Sequence, residues 1–495
     1  MKKIIIFLTI SLSACPFCAF AQSEPRERKL YFAQALEEMK GANEKLIIAQ
    51  AEQKKTAYEK KSAFGLFFPK IDVMFTYTHL SDPIEMDFNP LKDAMIGMGA
   101  AAAGAAAGTT VSSSGISYDQ QVAQAAQGVY MGQISQSSQL ANKDNFIETI
   151  QDKNFWTVTA TVQQPIFMGG KILAANKAAA AKHSLSSAKL KYAENYLTTE
   201  LTERYFGYAL ALEVVKVREQ VLTGMKHHNS DANSLYKNGI IAKAELMQSE
   251  VALAEAEREL KKALRDADTT SAGLMNTLST DDKIIPVSKL FFFTPQNDAA
   301  YYKARAMDYN PVLSQIAANR SLAHQSYRNE MSAMYPNVFL FGSVNLFNYQ
   351  LTEHAPDWLV GLGATYTIFH GLTNYHSIKA ASALEKEAET AEHKARRDIG
   401  TLVEKNYNAL MKVVEEIESL DKSIEFAKEF VRVRETAFRE GLASSADVVD
   451  ARLNQSKVQI EKLKAMYEFD VSLARLLEAC GLSSELTGYI DSGGK

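Results

Sequence analysis

The chain has little of what would hold it together covalently or carry it through a bilayer as a helix. Of its three cysteines, Cys15 and Cys18 lie at the extreme N-terminus, leaving Cys480 alone in the body of the chain. One thiol cannot close an internal disulfide, so packing and hydrogen bonds must hold the fold. Beyond the N-terminus no run of about 18 strongly apolar residues occurs, which excludes a transmembrane helix. The nearest candidate, Ala94 to Gly108, is mostly Ala and Gly. The nine histidines are scattered without HExxH spacing, and His227-His228 reads as a solvated pair. No GxxxxGK[ST] or GxSxG occurs either, so no catalytic group, cofactor or metal site is expected. The formal charge of −4, or −6 once Lys2 and Lys3 are removed, gives no reason to expect a nucleic-acid partner.

The N-terminus sets the compartment. Lys2 and Lys3 precede an apolar run from Ile4 to Leu12, and Ala19-Phe20-Ala21 places small residues before Gln22. That pattern is a secretory signal, cut after Ala21. Leu12-Ser13-Ala14-Cys15 offers the alternative of cleavage and lipidation at Cys15. Either cut exports the chain. An exported protein without a helical span is soluble in the periplasm or inserted as strands.

Proline is absent from residues 166–285 and 357–495, and both windows are rich in Ala, Leu, Glu and Lys. They read as long helices, each with one break. The breaks are Leu235-Tyr236-Lys237-Asn238-Gly239-Ile240 and Ala437-Phe438-Arg439-Glu440-Gly441-Leu442. A basic residue in the last turn followed by glycine ends a helix, so each window becomes a helical hairpin with a return helix of about forty residues. Small residues (Ala174, Ala175, Ala178 to Ala181, Ala252, Ala254, Ala256) would let these helices approach closely.

The hairpins belong to an internal repeat. Gly441 follows Gly239 by 202 positions, and Ile368-Phe369-His370-Gly371 follows Ile166-Phe167-Met168-Gly169 by the same 202. Tyr335-Pro336-Asn337-Val338 follows Phe68-Pro69-Lys70-Ile71 by 267, so the first copy holds about 65 extra residues. They coincide with a stretch from Asp82 to Gln151 that is dominated by Ala, Gly, Ser and Gln, the composition of a flexible cover. Between its landmarks each copy has two segments of period two. They are Ile71 to Tyr77 and Trp156 to Gln163, then Val338 to Phe347 and Trp358 to Ile368. The third alternates less cleanly, because Phe339 and Phe341 sit on its polar side. Each has roughly the ten residues that a tilted strand needs to cross the hydrocarbon layer, with Tyr77, Trp156, Trp358 and Tyr366 placed for an aromatic girdle. A soluble sheet with one buried face is the competing reading. Four strands cannot close a barrel, and lipid does not tolerate an open sheet edge, so several chains would have to share one. Three chains supply twelve strands, enough for a passage.

This layout resembles the TolC family of outer-membrane efflux channels over nearly the whole chain after the signal. Besides the order of elements, Gln164-Pro165-Ile166-Phe167-Met168-Gly169-Gly170, Tyr236-Lys237-Asn238-Gly239 and Gly441 to Ala451 carry the resemblance. It implies an α+β membrane protein: a homotrimer with a shared twelve-stranded β-barrel in outer-membrane lipid, continued through the periplasm by long antiparallel helical hairpins. It divides the chain into a signal (1–21), a first repeat (22–278, hairpin 170–278, inserted extracellular loop about 82–151), an equatorial linker (279–297), a second repeat (298–480, hairpin 371–480) and a tail (481–495). Shorter helices near Ser279 to Pro311 and at both termini would form an equatorial belt. Pro69, Pro165, Pro336, Gly169 and Gly371 mark strand starts and strand-to-helix turns.

The function implied is a passive exit duct for a tripartite efflux pump or a type I secretion system. Its partners would be a periplasmic adaptor at the hairpin tips (Tyr236, Lys237, Gly239, Phe438, Arg439, Gly441) and an inner-membrane transporter of RND, ABC or MFS type. The alternative is a soluble periplasmic coiled-coil adaptor or scaffold. Acids at Asp447 and Asp450 would line the periplasmic entrance, with Glu245 and Gln248 at the matching places of the first repeat. The plain reading is that Ser444 or Ser445 caps this helix and the acids interact with its dipole. The family's well-studied closed mouth has an arginine where this chain has Ala443. Asp447→Asn combined with Asp450→Asn is expected to lower cation selectivity in planar-bilayer conductance, where unchanged selectivity would remove both from the entrance.

Overall fold

A computed structural model describes residues 27–91, 147–352 and 355–493. Ala21, Cys15 and most of the inserted segment lie outside them. In chain order the first repeat comprises β1 (Glu27–Leu30), α1 (Phe32–Ala42), α2 (Glu44–Phe64), β2 (Lys70–His79), β3 (Ile84–Asp87), β4 (Ile147–Gln151), β5 (Asn154–Met168), α3 (Lys171–Lys237) and α4 (Lys243–Leu278). After β6 (Lys283–Pro286), the second repeat comprises α5 (Ala299–Tyr309), α6 (Pro311–Met331), β7 (Asn337–Tyr349), β8 (Trp358–Thr365), α7 (Thr373–Arg439) and α8 (Ser445–Cys480), followed by α9 (Leu486–Gly493).

The helices of the two copies agree in length to the residue. α3 and α7 are both 67 residues long, and α4 and α8 are both 36. Both hairpin turns use a glycine in the left-handed region, Gly239 at φ 72° and Gly441 at φ 73°. Each passes the next amide back to the helix, Ile240 N–H to the Leu235 carbonyl and Leu442 N–H to the Ala437 carbonyl. That satisfies carbonyls the helix end leaves open. Each copy also opens with an 11-residue and a 21-residue helix separated by one asparagine, Asn43 or Asn310. The Asn43 amide donates to the Thr277 carbonyl (3.1 Å) and the Asn310 amide to that of Ala479 (2.7 Å), tying each break to its own return helix. Both asparagine carbonyls accept from the helix that follows.

The chain folds into two compact units. One holds the described residues up to 57, 181–320 and 387–493. Its core surrounds Phe32, Tyr205, Phe206, Leu274, Phe291 and Phe469, all at most 2 % exposed. The Tyr205 hydroxyl donates to the Leu30 carbonyl (2.7 Å) and accepts from the Val287 and Ser288 amides (3.0 Å each). One buried side chain thereby closes backbone groups at the end of the parallel β1–β6 ladder. The expected equatorial belt is therefore not helical over the whole of Ser279 to Pro311. Ile284 and Ile285 favour a strand, Pro286 and Pro295 oppose a helix, and only α5 is helical there. The small-residue expectation holds for Ala174, Ala181, Ala252 and Ala256, which are buried, while Ala254 faces solvent.

The other unit (the described residues within 58–180 and 321–386) contains a four-stranded antiparallel sheet in the order β2-β5-β7-β8. β8 stops at Thr365, short of Ile368, because Thr365 pairs with Asn337, the first residue of β7. Pro336, which precedes it, has no N–H to extend the ladder. The ends of the inserted segment are ordered as the antiparallel pair β3–β4, so the flexible cover does not begin at Asp82. Phe339 and Phe341 also find their reason. They lie opposite Gly363 and Gly361, where a Cβ would come within 2.7 and 2.5 Å of their rings. Aromatics on the polar side cover neighbouring glycines.

The two strand-to-helix glycines carry unequal constraints. Gly169 (φ 59°) packs against the Ser332 backbone, so a Cβ there would strike the Ser332 carbonyl oxygen, whereas Gly371 (φ 55°) has open space around it. Gly371→Ala should therefore cost about 1–2 kcal/mol, the left-handed penalty alone. Gly169→Ala should cost distinctly more, which thermal unfolding of the two variants side by side would measure.

Candidate functional site

Two surfaces hold the sequence-predicted residues. The first is the sheet. Its cross-strand pairs place Ile71, Val73, Phe75 and Tyr77 on one face with Trp156, Val158, Ala160 and Val162. Through β7 the same face continues to Trp358, Val360 and Leu362. The opposite face carries Thr157, Thr159, Thr161, Gln163, Ser343 and Asn345. The apolar face is uncovered: Ile71 is 66 % exposed, Phe75 65 %, Trp358 69 % and Leu362 71 %. A soluble sheet would turn this face to a core. Tyr77, Trp156 and Tyr349 form one aromatic row by register, with the Trp156 and Tyr349 rings stacked 6.2 Å apart. β2 and β8 are free edges that run antiparallel to each other, so copies set side by side can continue the ladder. Among the described residues no helix is long and apolar enough to cross a membrane.

The second surface is the pair of hairpin ends. α8 starts at a capping box: Ser444 Oγ accepts from the Asp447 amide, and the Asp447 carboxylate accepts from Ser444 N–H (2.9 Å) and O–H (2.8 Å). Asp447 also meets Arg434 of α7 at 3.5 Å. These hydrogen bonds, and then Arg434, hold its carboxyl below the ordinary aspartate value. Glu245 does not stand free either. Its carboxylate accepts from the Ser445 amide (2.6 Å), so the first hairpin caps the return helix of the second. Asp450 and Gln248 are exposed, and Asp450 has no ion-pair partner among the described residues. Tyr236, Lys237, Gly239, Arg439 and Gly441 are exposed, as are Ile240 and Leu442 beside the two turn glycines.

Two expectations at the tips fail. Phe438 is 2 % exposed, packed with Ala232 and Val448, and so is closed to any adaptor. His228 is not solvated. It is buried, its ring lies 4.7 Å from that of Phe438, and Nε2 shares a 2.8 Å hydrogen bond with Ser445 Oγ. His227 alone matches the solvated reading. The physical reason is the proximity of the two hairpins: His228 and Ala232 of α3 pack against Phe438 of α7 and the first turn of α8. Arg452 of α8 pairs with Glu435 and lies over Gly224 of α3, where a Cβ would strike the guanidinium. Arg434 and Arg452 therefore supply ion pairs at a tip that lacks arginine at position 443. Sequence reasoning missed this cluster, although Gly224 and Arg452 are visible once α3 and α8 are known to touch.

Structures of outer-membrane channels match this fold over nearly its whole length. A CusC structure, described in terms of conformational changes accompanying folding and transmembrane channel formation, is 10 % identical with TM-score 0.70, covering 91 % of each chain. The Campylobacter jejuni CmeC outer membrane channel is 13 % identical with TM-score 0.67, over 94 % of this chain and 89 % of that one. The outer membrane protein VceC of Vibrio cholerae is 14 % identical with TM-score 0.67, over 91 % and 96 %. No curated protein matches the chain by sequence.

The tips also generate a pH dependence. Burial, and then the charge of Arg452, lowers the His228 pKa against smaller opposing effects of Asp231 and Glu245. A depressed imidazole contributes its full stability above the ordinary value of about 6.5 and loses it as the pH falls through the depressed one. Hydrogen-exchange protection across residues 440–450 should drop on acidification, and His228→Gln, which does not titrate, should flatten that drop. A family profile described as outer membrane efflux protein matches residues 304–482, most of the second repeat.

Proposed function

We propose that this chain is one protomer of the outer-membrane exit duct of an efflux pump, passive in itself and energised by an inner-membrane transporter through a periplasmic adaptor. The observation that carries the reading is the four-stranded sheet with an uncovered apolar face and two free edges. Three copies joined β8 to β2 close twelve antiparallel strands, turn the apolar faces to lipid and leave the threonine-rich faces around a passage. Phe426, Phe430 and Val433, exposed along one stripe of α7, give the helical unit a further surface for a second copy. Ile240 and Leu442 offer the adaptor apolar contacts that Phe438 cannot. Conduction from periplasm to exterior needs no catalytic group, and nothing in the likenesses favours the soluble adaptor. Whether the transporter is of RND, ABC or MFS type, or whether the pump serves type I secretion, does not change the protomer's role.

At the entrance, Asp450 is the acid whose charge is uncommitted. The entrance reading thus predicts that Asp450→Asn alone accounts for most of the selectivity change of the double substitution. Cysteines placed along β2 and β8, in a Cys480→Ser background, test the assembly. Oxidation of outer-membrane vesicles should give crosslinked dimers and trimers. A chain recovered as a soluble periplasmic monomer would end the duct reading.

A further inference from the structure

We propose that the polar face of the sheet carries a binding site for aromatic amphiphiles with a carboxylate or sulfonate group. A hollow of about 660 Å³ lies across the ends of all four strands. Lys70 of β2, Gln163 of β5, Asn337 and Phe339 of β7 and Thr365 of β8 line it, with Phe68 from the turn before β2. The register puts Lys70 opposite Gln163 and Asn337 opposite Thr365, so these groups share the face turned away from the apolar one. The volume lies within the roughly 300–1,000 Å³ of small-molecule sites.

The chemistry of the lining selects the ligand. Phe339 is held over Gly363 and cannot fold into the hollow without uncovering it. Phe68, 58 % exposed, packs edge-on against Phe64 at 5.5 Å and offers a second ring. Two aromatic side chains at fixed positions suit a planar apolar body. Lys70 is the only charged residue of the lining. Its partner Asp72, 2.8 Å away, lies outside the lining, and an ammonium has three donors, so the lysine keeps capacity for an anion. Gln163, Asn337 and Thr365 add hydrogen-bonding groups, and no carboxylate is present to favour a cation. The proposal rests on the duct reading in one respect: the polar face must line the passage, which makes the occupant a cargo molecule pausing inside it.

The test uses the full-length protein in lipid nanodiscs and planar bilayers, with 8-anilinonaphthalene-1-sulfonate as probe and uncharged N-phenyl-1-naphthylamine as its neutral counterpart. The sulfonate should interrupt single-channel current and gain fluorescence on binding. Lys70→Gln should weaken the sulfonate by about tenfold, as expected for loss of a charge-assisted hydrogen bond, and leave the neutral probe unchanged. Phe339→Leu, which still covers Gly363, should weaken both probes. Equal binding by wild type and both variants overturns the site, as does equal weakening of both probes by Lys70→Gln. A conducting channel that the sulfonate leaves undisturbed in current and fluorescence refutes the site while sparing the duct. Variant-dependent fluorescence without any conductance refutes the duct and keeps the site.

Discussion

A sheet with one apolar face and two free edges cannot be satisfied by a single chain in water, and this constraint organises the rest of the molecule. The uncovered residues of β2, β5, β7 and β8 would cost free energy in water at each side chain, while in hydrocarbon the same surface is at home. The free edges impose the second condition, because every unpaired amide and carbonyl in lipid costs several kcal/mol. Lipid against the apolar face and further strands paired at both edges would answer the two conditions together.

The repeat is what makes such a sheet economical to encode. Each copy contributes a broken helix, two strands and a hairpin, and the structural marks that fix their lengths recur at constant offsets. Asn43 and Asn310 hold the helix breaks against the return helices, and Gly239 and Gly441 close the hairpins with the same hydrogen bonds. Where the copies differ, the difference is local. Asp470 in α8 is fully buried, and burial raises its carboxyl well above the ordinary value. Asp268, which occupies the same place in α4, is exposed beside Arg265. The repeat preserves the residue type while the neighbours decide its chemistry.

At the hairpin ends, polar groups that look available in the sequence are engaged. The Ser445 amide donates to Glu245 and its hydroxyl shares a hydrogen bond with His228, so both hairpins of one chain meet at the start of α8. The ion pairs nearby are partly exposed, and solvent screening leaves each a modest contribution. Burial of the Phe438 ring, 2 % exposed, contributes more to the tip.

Much of this was legible in the residues. Proline-free windows marked the long helices, the offsets of 202 and 267 marked the repeat, and alternation marked all four strands. Those signals are local, because a helix end or a strand face is written in neighbouring residues. The sequence did not show that Glu245 would cap a helix about 200 residues away, that Phe438 would be buried at an apparently exposed tip, or that Phe339 and Phe341 were covering glycines. It also did not place Lys70, Phe68 and Phe339 around one hollow. Each of these depends on which segments meet, and only the packing of distant elements supplies that.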